Sequence, residues 1–285
     1  MTKLIKIFFS YFIFSLLFSA ASTASPWVDN WTNGSYYLTN GENKNFRSFL
    51  LRSEGRFGVQ PDENFSAAPY FVYYLNAGQD PNYWNNNIAY GVGLRVKPFT
   101  GYQSDTFPLD LVKDIKFYGE VLGLAFLKDE QTAVSNEVTT NDFRFGLDIW
   151  HEWGLKDGDD LTYWGELWAN LGYRSTNFYD KVNFTKFQTY VGYLQLKGGQ
   201  HIGNGIKPYL AIYSNSSGSS KAWLNNFMYG GGIRFEPFMN DLRAPAIFQK
   251  FKMYVEYLSI ILTADQDPTR PNYDLRFGVE MTQGR

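Results

Sequence analysis

Apolar and polar residues alternate along much of this chain, and the clearest alternation occurs twice. Residues 84–99 and 223–238 align at an offset of 139 positions and share Trp, Asn, a Tyr-Gly-x-Gly run, an arginine and a closing Pro-Phe. Alternation at period two is typical of a β-strand with one polar and one apolar face. Repeated strands of about ten residues predict a membrane β-barrel.

Further segments repeat in the same order. Residues 69–76 match 208–215, residues 116–120 match 252–256, and residues 142–148 match 274–280. A repeat this long, with several strands in each copy, favours a duplicated half-barrel over a solenoid, whose repeats are shorter and more numerous. Two copies also favour one closed domain.

Eleven strands are predicted from the alternation, and a weaker segment at 31–39 makes twelve. The eleven are 46–60, 68–76, 87–98, 115–128, 141–153, 161–175, 184–197, 206–215, 224–237, 250–263 and 272–282. An even number lets an antiparallel barrel close with both termini in the periplasm. The alternative is a soluble sandwich, whose strands are usually about five or six residues long. The longer strands therefore favour an all-β transmembrane barrel in the bacterial outer membrane.

Charged residues decide which face of each strand is polar. An arginine or lysine on the lipid face at mid-membrane depth costs roughly 2–4 kcal/mol, so these residues are expected to line the lumen. The predicted lumen residues are Arg52, Glu54, Arg56, Arg95, Lys97, Arg144, Asp148, Glu166, Arg174, Arg234, Glu236, Arg276 and Glu280.

Two strands break this pattern. In the strand at 115–128, the parity of Glu120 continues as Leu122 and Leu124, and the second copy shows Leu258 after Glu256. Either a bulge shifts the register, or apolar side chains pack locally inside the lumen.

The first 24 residues predict a secretory signal peptide. Lys3 and Lys6 precede an apolar run, and small residues follow it as at a cleavage site. We therefore expect a signal at 1–24 and a single barrel domain at 25–285. Aromatic residues make up 19% of the chain, which suits the aromatic girdles of a barrel. The charge distribution has no basic patch of the kind that binds nucleic acid.

Catalytic and metal sites are not predicted. The chain has two histidines, His151 and His201, and neither has an adjacent serine that would complete a nucleophilic site. The run at 156–160 contains three aspartates, but an Asp-Gly turn explains it without calcium. No cofactor is expected, and there is no cysteine. Trp84 and Trp223 fall at equivalent loop ends at the predicted outer mouth, where they form an aromatic belt or bind a sugar or surface partner.

Two signatures resemble a known family. Residues 90–99 (YGVGLRVKPF) and 141–148 (NDFRFGLD) are similar to the C-terminal barrel of the bacteriophage adsorption protein A type, which is organised like exopolysaccharide-secretion porins. The resemblance implies a secretion-associated pore or a phage receptor. Members carry a periplasmic helical-repeat region before the barrel, and this sequence shows none. It also ends in Gly284-Arg285, whereas many outer-membrane barrels end on an aromatic residue.

The sequence thus predicts an outer-membrane barrel with a polar, mixed-charge lumen that acts as a pore or in secretion. The alternatives are a plugged structural or receptor barrel and, third, a lipid-acting enzyme. Expected partners are outer-membrane lipid, the outer-membrane assembly machinery, and a periplasmic secretion partner or a phage.

Overall fold

Twelve antiparallel strands close into a barrel in the computed structural model of this chain. The structure describes residues 25–41, 45–60, 67–79, 86–102, 104, 106, 108–127, 141–154, 163–176, 187–203, 205–218, 225–238, 250–263 and 271–283. The signal peptide expected at 1–24 lies outside these residues.

Each strand pairs with its sequence neighbours, and the first strand also pairs with the last. The strands are β1 (Ser25–Gly41), β2 (Asn45–Gln60), β3 (Ala67–Gly78), β4 (Asn86–Val96), β5 (Ile115–Phe126), β6 (Asn141–Trp153), β7 (Tyr163–Thr176), β8 (Phe187–Gln200), β9 (Ile206–Ser217), β10 (Asn226–Phe235), β11 (Phe251–Leu262) and β12 (Pro271–Gln283). The predicted twelve-stranded antiparallel barrel is therefore confirmed.

We call the end of the barrel where β1 begins and β12 finishes the terminal end, and the opposite end the distal end. β1 and β12 pair from Asn30 opposite Gln283 to Asn40 opposite Tyr273. The segment that was weakest in the sequence, at 31–39, belongs to β1, which has 17 residues. Its outward positions include Asn30, Thr32 and Gly34, so little apolar alternation marks it.

The two faces of β4 show how side chains divide between lipid and interior. Ala89 and Arg95 are buried, whereas Tyr90 between them is 56% exposed and points outward. Gly91 lies on the inward parity, where a Cβ would fall 2.0 Å from the carbonyl oxygen of Val121 on β5. Only glycine permits so close an approach of the two backbones.

Leu122 on β5 and Leu258 on β11, which share the parity of Glu120 and Glu256, lie inside the barrel. Pairing of β5 with β4 and β6 is continuous, so the bulge considered for this strand is wrong. Leu122 packs with Tyr70, Val72 and Ala89 in one buried cluster. Leu258 in the second copy is fully buried beside Tyr209. Local packing in the lumen is the correct alternative.

A short 3₁₀ helix at Leu109–Asp114 precedes β5 at the terminal end. Among the described residues, no helix has the length and apolarity of a membrane span. The 3₁₀ helix packs against β6.

Candidate functional site

A buried carboxylate organises the interior of the first six strands. Glu120 on β5 accepts hydrogen bonds from the hydroxyls of Tyr70 at 2.8 Å and Tyr74 at 2.8 Å, both on β3. The Arg56 Nε on β2 lies 3.4 Å from the same carboxylate, and Arg56 also bonds Glu54. Glu120 therefore links β2, β3 and β5 through one charge.

The last six strands contain the same arrangement. Glu256 on β11 accepts hydrogen bonds from Tyr209 and Tyr213 on β9, each at 2.7 Å. Lys197 on β8 places its Nζ 3.2 Å from Glu256, in the role that Arg56 has beside Glu120.

A second pair of matching contacts lies nearer the terminal end. Arg95 on β4 donates to Asp29 on β1 at 2.6 Å, and its guanidinium lies 3.5 Å from the ring centre of Trp27. On the other side, Arg234 on β10 donates to Glu166 on β7 at 2.6 Å and lies 4.3 Å from the ring centre of Trp164. Cation–π contact and ion pairing together fix each guanidinium.

Two further ion pairs match at the distal end. Arg144 donates to Asp142 at 2.5 Å, and Arg276 donates to Asp274 at 2.6 Å. Each pair joins alternate residues of one strand, which point to the same face. Matched contacts therefore fall on strands six apart in the ring, such as β4 and β10.

A pair of tryptophans joins the first six strands to the last six across the lumen. Trp31 on β1 and Trp168 on β7 lie with ring centres 6.0 Å apart, although their strands are on opposite sides of the ring. Trp168 also packs edge-on against Tyr193 at 4.7 Å. Aromatic side chains thus bridge the lumen at this level.

Cavities lie towards both ends of the barrel interior. The distal cavity has about 390 Å³ and is lined by four arginines and two carboxylates among the described residues, together with aromatic and amide side chains. The terminal cavity has about 380 Å³ and is lined by Trp164, Glu166, Lys207, Arg234 and Lys252, among others. The Trp164 Nε1 is buried without a hydrogen-bond partner among the described residues.

The structure places the charged residues predicted for the lumen as follows. The distal cavity is lined by Arg52, Glu54, Arg56, Arg144, Asp148 and Arg174, and the terminal cavity by Glu166, Arg234 and Glu236. Arg95 bonds Asp29, Arg276 bonds Asp274, and Glu280 lies 3.6 Å from Lys252. Lys97 is half-buried just beyond β4.

Several interior residues were missed from the sequence. The five carboxylates Asp29, Glu120, Asp142, Glu256 and Asp274 and the cation Lys197 all carry interior contacts. For Asp142 and Asp274 a signal existed, because each stands two positions before an arginine of the same face. Each of four predicted lumen arginines contacts a carboxylate within its own half of the barrel: Arg95, Arg144, Arg234 and Arg276.

The residues exposed on the outer surface indicate the environment of the barrel. Leu210 is 74% exposed and Ile233 is 58% exposed, while charged residues such as Glu120, Glu166 and Arg234 are buried. A closed barrel with no free edge, an apolar exterior and a charged interior matches a lipid environment. The chain is an outer-membrane β-barrel.

Comparisons with known proteins find similarity among solved structures only. No protein-family model and no curated protein matches the sequence. Among solved structures, the chain is similar to an outer-membrane channel from Pseudomonas putida F1, with 8% identity, a TM-score of 0.41, and coverage of 90% of this chain and 95% of that one. It is also similar to the NanC porin, with 9% identity, a TM-score of 0.38, and 89% and 98% coverage. A third is the β-domain of the Bordetella autotransporter Brka, with 12% identity, a TM-score of 0.34, and 89% and 98% coverage.

Other predicted features lie outside the described residues. These are Trp84, Trp223 and the aspartate run at 156–160. The described residues contain no cluster of three or more side chains suited to a metal ion. His151 lies between two carboxylates of the 3₁₀ helix: Asp114 Oδ2 is 2.7 Å from its Nδ1 and Asp110 Oδ2 is 2.9 Å from its Nε2.

Proposed function

We propose that this barrel is a narrow outer-membrane channel for small polar solutes. The observation that carries the proposal is the pair of charged cavities, of about 390 and 380 Å³, towards the two ends of one closed barrel. Charged walls stabilise water and polar solutes inside the barrel, while the apolar exterior contacts lipid.

A layer of side chains separates the cavities. It includes Trp31 and Trp168, whose rings are 6.0 Å apart, and the fully buried Glu120 and Glu256. Passage therefore requires the tryptophans to part, and we expect small or no conductance from the unmodified protein.

Single-channel recording in planar bilayers tests the proposal. Replacing both tryptophans (Trp31→Ala with Trp168→Ala) removes the aromatic bridge and is expected to produce larger, stable current steps. Shortening Arg56 or Arg144 in the distal cavity is expected to act in the same direction. The matched control is Tyr90→Ala with Tyr229→Ala, which removes two exposed rings from the outer surface.

A plugged structural or receptor barrel is the second candidate, and the tryptophan contact itself favours it. Current that stays absent in the double tryptophan variant would support this candidate and contradict the channel. The variants are first checked for folding by their heat-modifiable gel migration, because a closed barrel unfolds slowly in detergent.

Secretion of an exopolysaccharide and adsorption of a phage remain predictions from the family resemblance. Among the described residues, Trp31 and Trp168 meet across the lumen between the two cavities, so secretion of a polymer requires a wider state and a periplasmic partner. Deleting the gene and measuring exported polysaccharide and phage adsorption tests both roles. We expect no enzymatic activity, and an assay of phospholipid turnover by the purified barrel tests that expectation.

A further inference from the structure

Most interior contacts occur twice, but two arginines have no counterpart in the other half. Residues of β2 match those of β8 at an offset of 141 positions, which places Tyr193 where β2 has Arg52. Residues of β1 match those of β7 at an offset of 137, which places Arg174 where β1 has Tyr37. The barrel therefore holds two extra arginines that its repeated framework does not require.

The neighbours of Arg174 show that an arginine at this position stabilises the fold less than the tyrosine found at the matched position. Arg174 lies directly opposite Arg144 on the neighbouring strand. In the other half, Arg276 lies opposite Tyr37 and packs its guanidinium 5.2 Å from that ring centre. Two like charges opposite each other destabilise a strand pair, whereas the arginine and tyrosine attract.

Neither extra arginine is ion-paired with another described residue. Among the described residues, no carboxylate lies within 4.0 Å of the side-chain nitrogens of Arg52 or Arg174, whereas Arg56 and Arg144 have such partners. Both arginines line the distal cavity. Two guanidinium groups without a carboxylate within 4.0 Å therefore face one cavity, and this arrangement favours an anion there.

The other residues that line the distal cavity limit the size and chemistry of such an anion. Trp31 and Trp168 offer aromatic faces, and amide groups come from Asn76, Asn170 and Asn215. A volume of about 390 Å³ holds a small molecule but not a polymer segment of many units. Guanidinium groups bind carboxylates through two parallel hydrogen bonds, and amides bind hydroxyls.

We propose that the distal cavity binds a small hydroxylated carboxylate, with the size and chemistry of a single sugar acid. Arg52 and Arg174 bind the carboxylate, the asparagines bind hydroxyls, and the tryptophan rings pack against the apolar edge of the molecule. The proposal rests on the proposed channel function in one respect: it names the class of solute that the channel admits.

Calorimetric titration of the detergent-folded full chain tests the site without measuring transport. The probe is D-glucuronate, and D-glucose is the matched compound without the carboxylate. We expect saturable binding of glucuronate and none of glucose. Arg52→Tyr and Arg174→Tyr install the residues found at the matched positions, so each is compatible with the fold. Each is expected to weaken binding about tenfold or more, because a charge-assisted hydrogen bond is lost.

The control variant is Arg47→Tyr, which removes one exposed positive charge of β2 outside the cavity. It is expected to leave glucuronate affinity unchanged. Equal affinity for glucose and glucuronate, or unchanged binding in both cavity variants, overturns the proposal. If the double tryptophan variant carries current but the unmodified protein binds no glucuronate, the site is contradicted and the channel is supported. If the unmodified protein binds glucuronate but the double tryptophan variant carries no current, the site is supported and the channel is contradicted.

Discussion

At the scale of single residues, the barrel interior depends on buried charges that are individually expensive to desolvate. Glu120 and Glu256 are 0% and 1% exposed. A buried ion pair adds little net stability compared with apolar packing, but removing one partner leaves the other charge uncompensated. Two tyrosine hydroxyls and a cation surround each carboxylate. These glutamates therefore specify which strands come together.

Neutralising one of these glutamates should weaken the fold. We expect Glu256→Gln to lower the free energy of unfolding by about 3 kcal/mol, because Lys197 loses its nearest carboxylate. Glu120→Gln is expected to have a similar effect through Arg56. The urea midpoint, followed by heat-modifiable gel migration, measures the change. Glu152→Gln, at an exposed position, is the control. Midpoints equal to that of Glu152→Gln would show that the buried charges are dispensable.

Lys97 gives the fold a pH dependence. Burial, with Arg95 and Lys116 nearby, lowers the pKa of Lys97 from 10.5 to about 8. Between these values the unfolded chain binds the proton that the folded chain has released, so this group makes unfolding less favourable as pH rises from 8 to 10.5. Lys97→Met should reduce the increase in the free energy of unfolding with pH, measured as urea midpoints between pH 8 and 10.5. Lys113→Met, at an exposed lysine, should keep the slope. Equal slopes in the two variants would contradict the prediction.

The facing of the charged residues could be predicted from parity, but their partners could not. Parity placed Arg144 and Arg234 inside, because lipid excludes charge. Parity does not show how many strands separate two partners. Arg234 on β10 bonds a carboxylate on β7, three strands away. Such a pairing depends on the curvature of the closed sheet, which alternation along a strand does not encode. Asp29 was missed for a second reason, since β1 itself was the weakest strand.

At the scale of elements, strand existence followed from the sequence, and the connections did not. The 3₁₀ helix has no apolar alternation and is positioned by one side chain of β6, His151, between Asp110 and Asp114. Both ring nitrogens of His151 thus lie within 3 Å of a carboxylate oxygen of the helix.

Removing this imidazole should release the helix from the barrel. We expect His151→Ala to speed hydrogen exchange at the helix amides, including the Ile115 N–H that donates to the Val112 carbonyl. Exchange read by mass spectrometry on peptides covering 109–115 measures the change. His201→Ala, at the end of β8, removes the other histidine and should leave these peptides unchanged. If both variants exchange alike, the helix is held by other contacts.

At the scale of the whole molecule, each half of the barrel is internally connected. Ion pairs join strands three apart within one half: β1 to β4, β2 to β5, β7 to β10 and β8 to β11. The chain ends are adjacent, because β1 pairs with β12. A circular permutant with a short glycine-serine linker between Gln283 and Ser25, opened between Gly154 and Tyr163, therefore keeps all four pairs within contiguous halves. We expect it to refold in detergent with the native gel migration and a rate close to that of the original chain.

The position of the opening provides the control. A permutant opened in the β1–β2 connection at 42–44 places β1 last in the chain. Asp29 then becomes distant in sequence from Arg95, while the folded barrel keeps the same contacts. Closing a longer loop before that pair forms costs entropy and slows folding. We expect the second permutant to refold more slowly than the first, with a similar final stability. Equal refolding rates would show that the barrel does not assemble half by half.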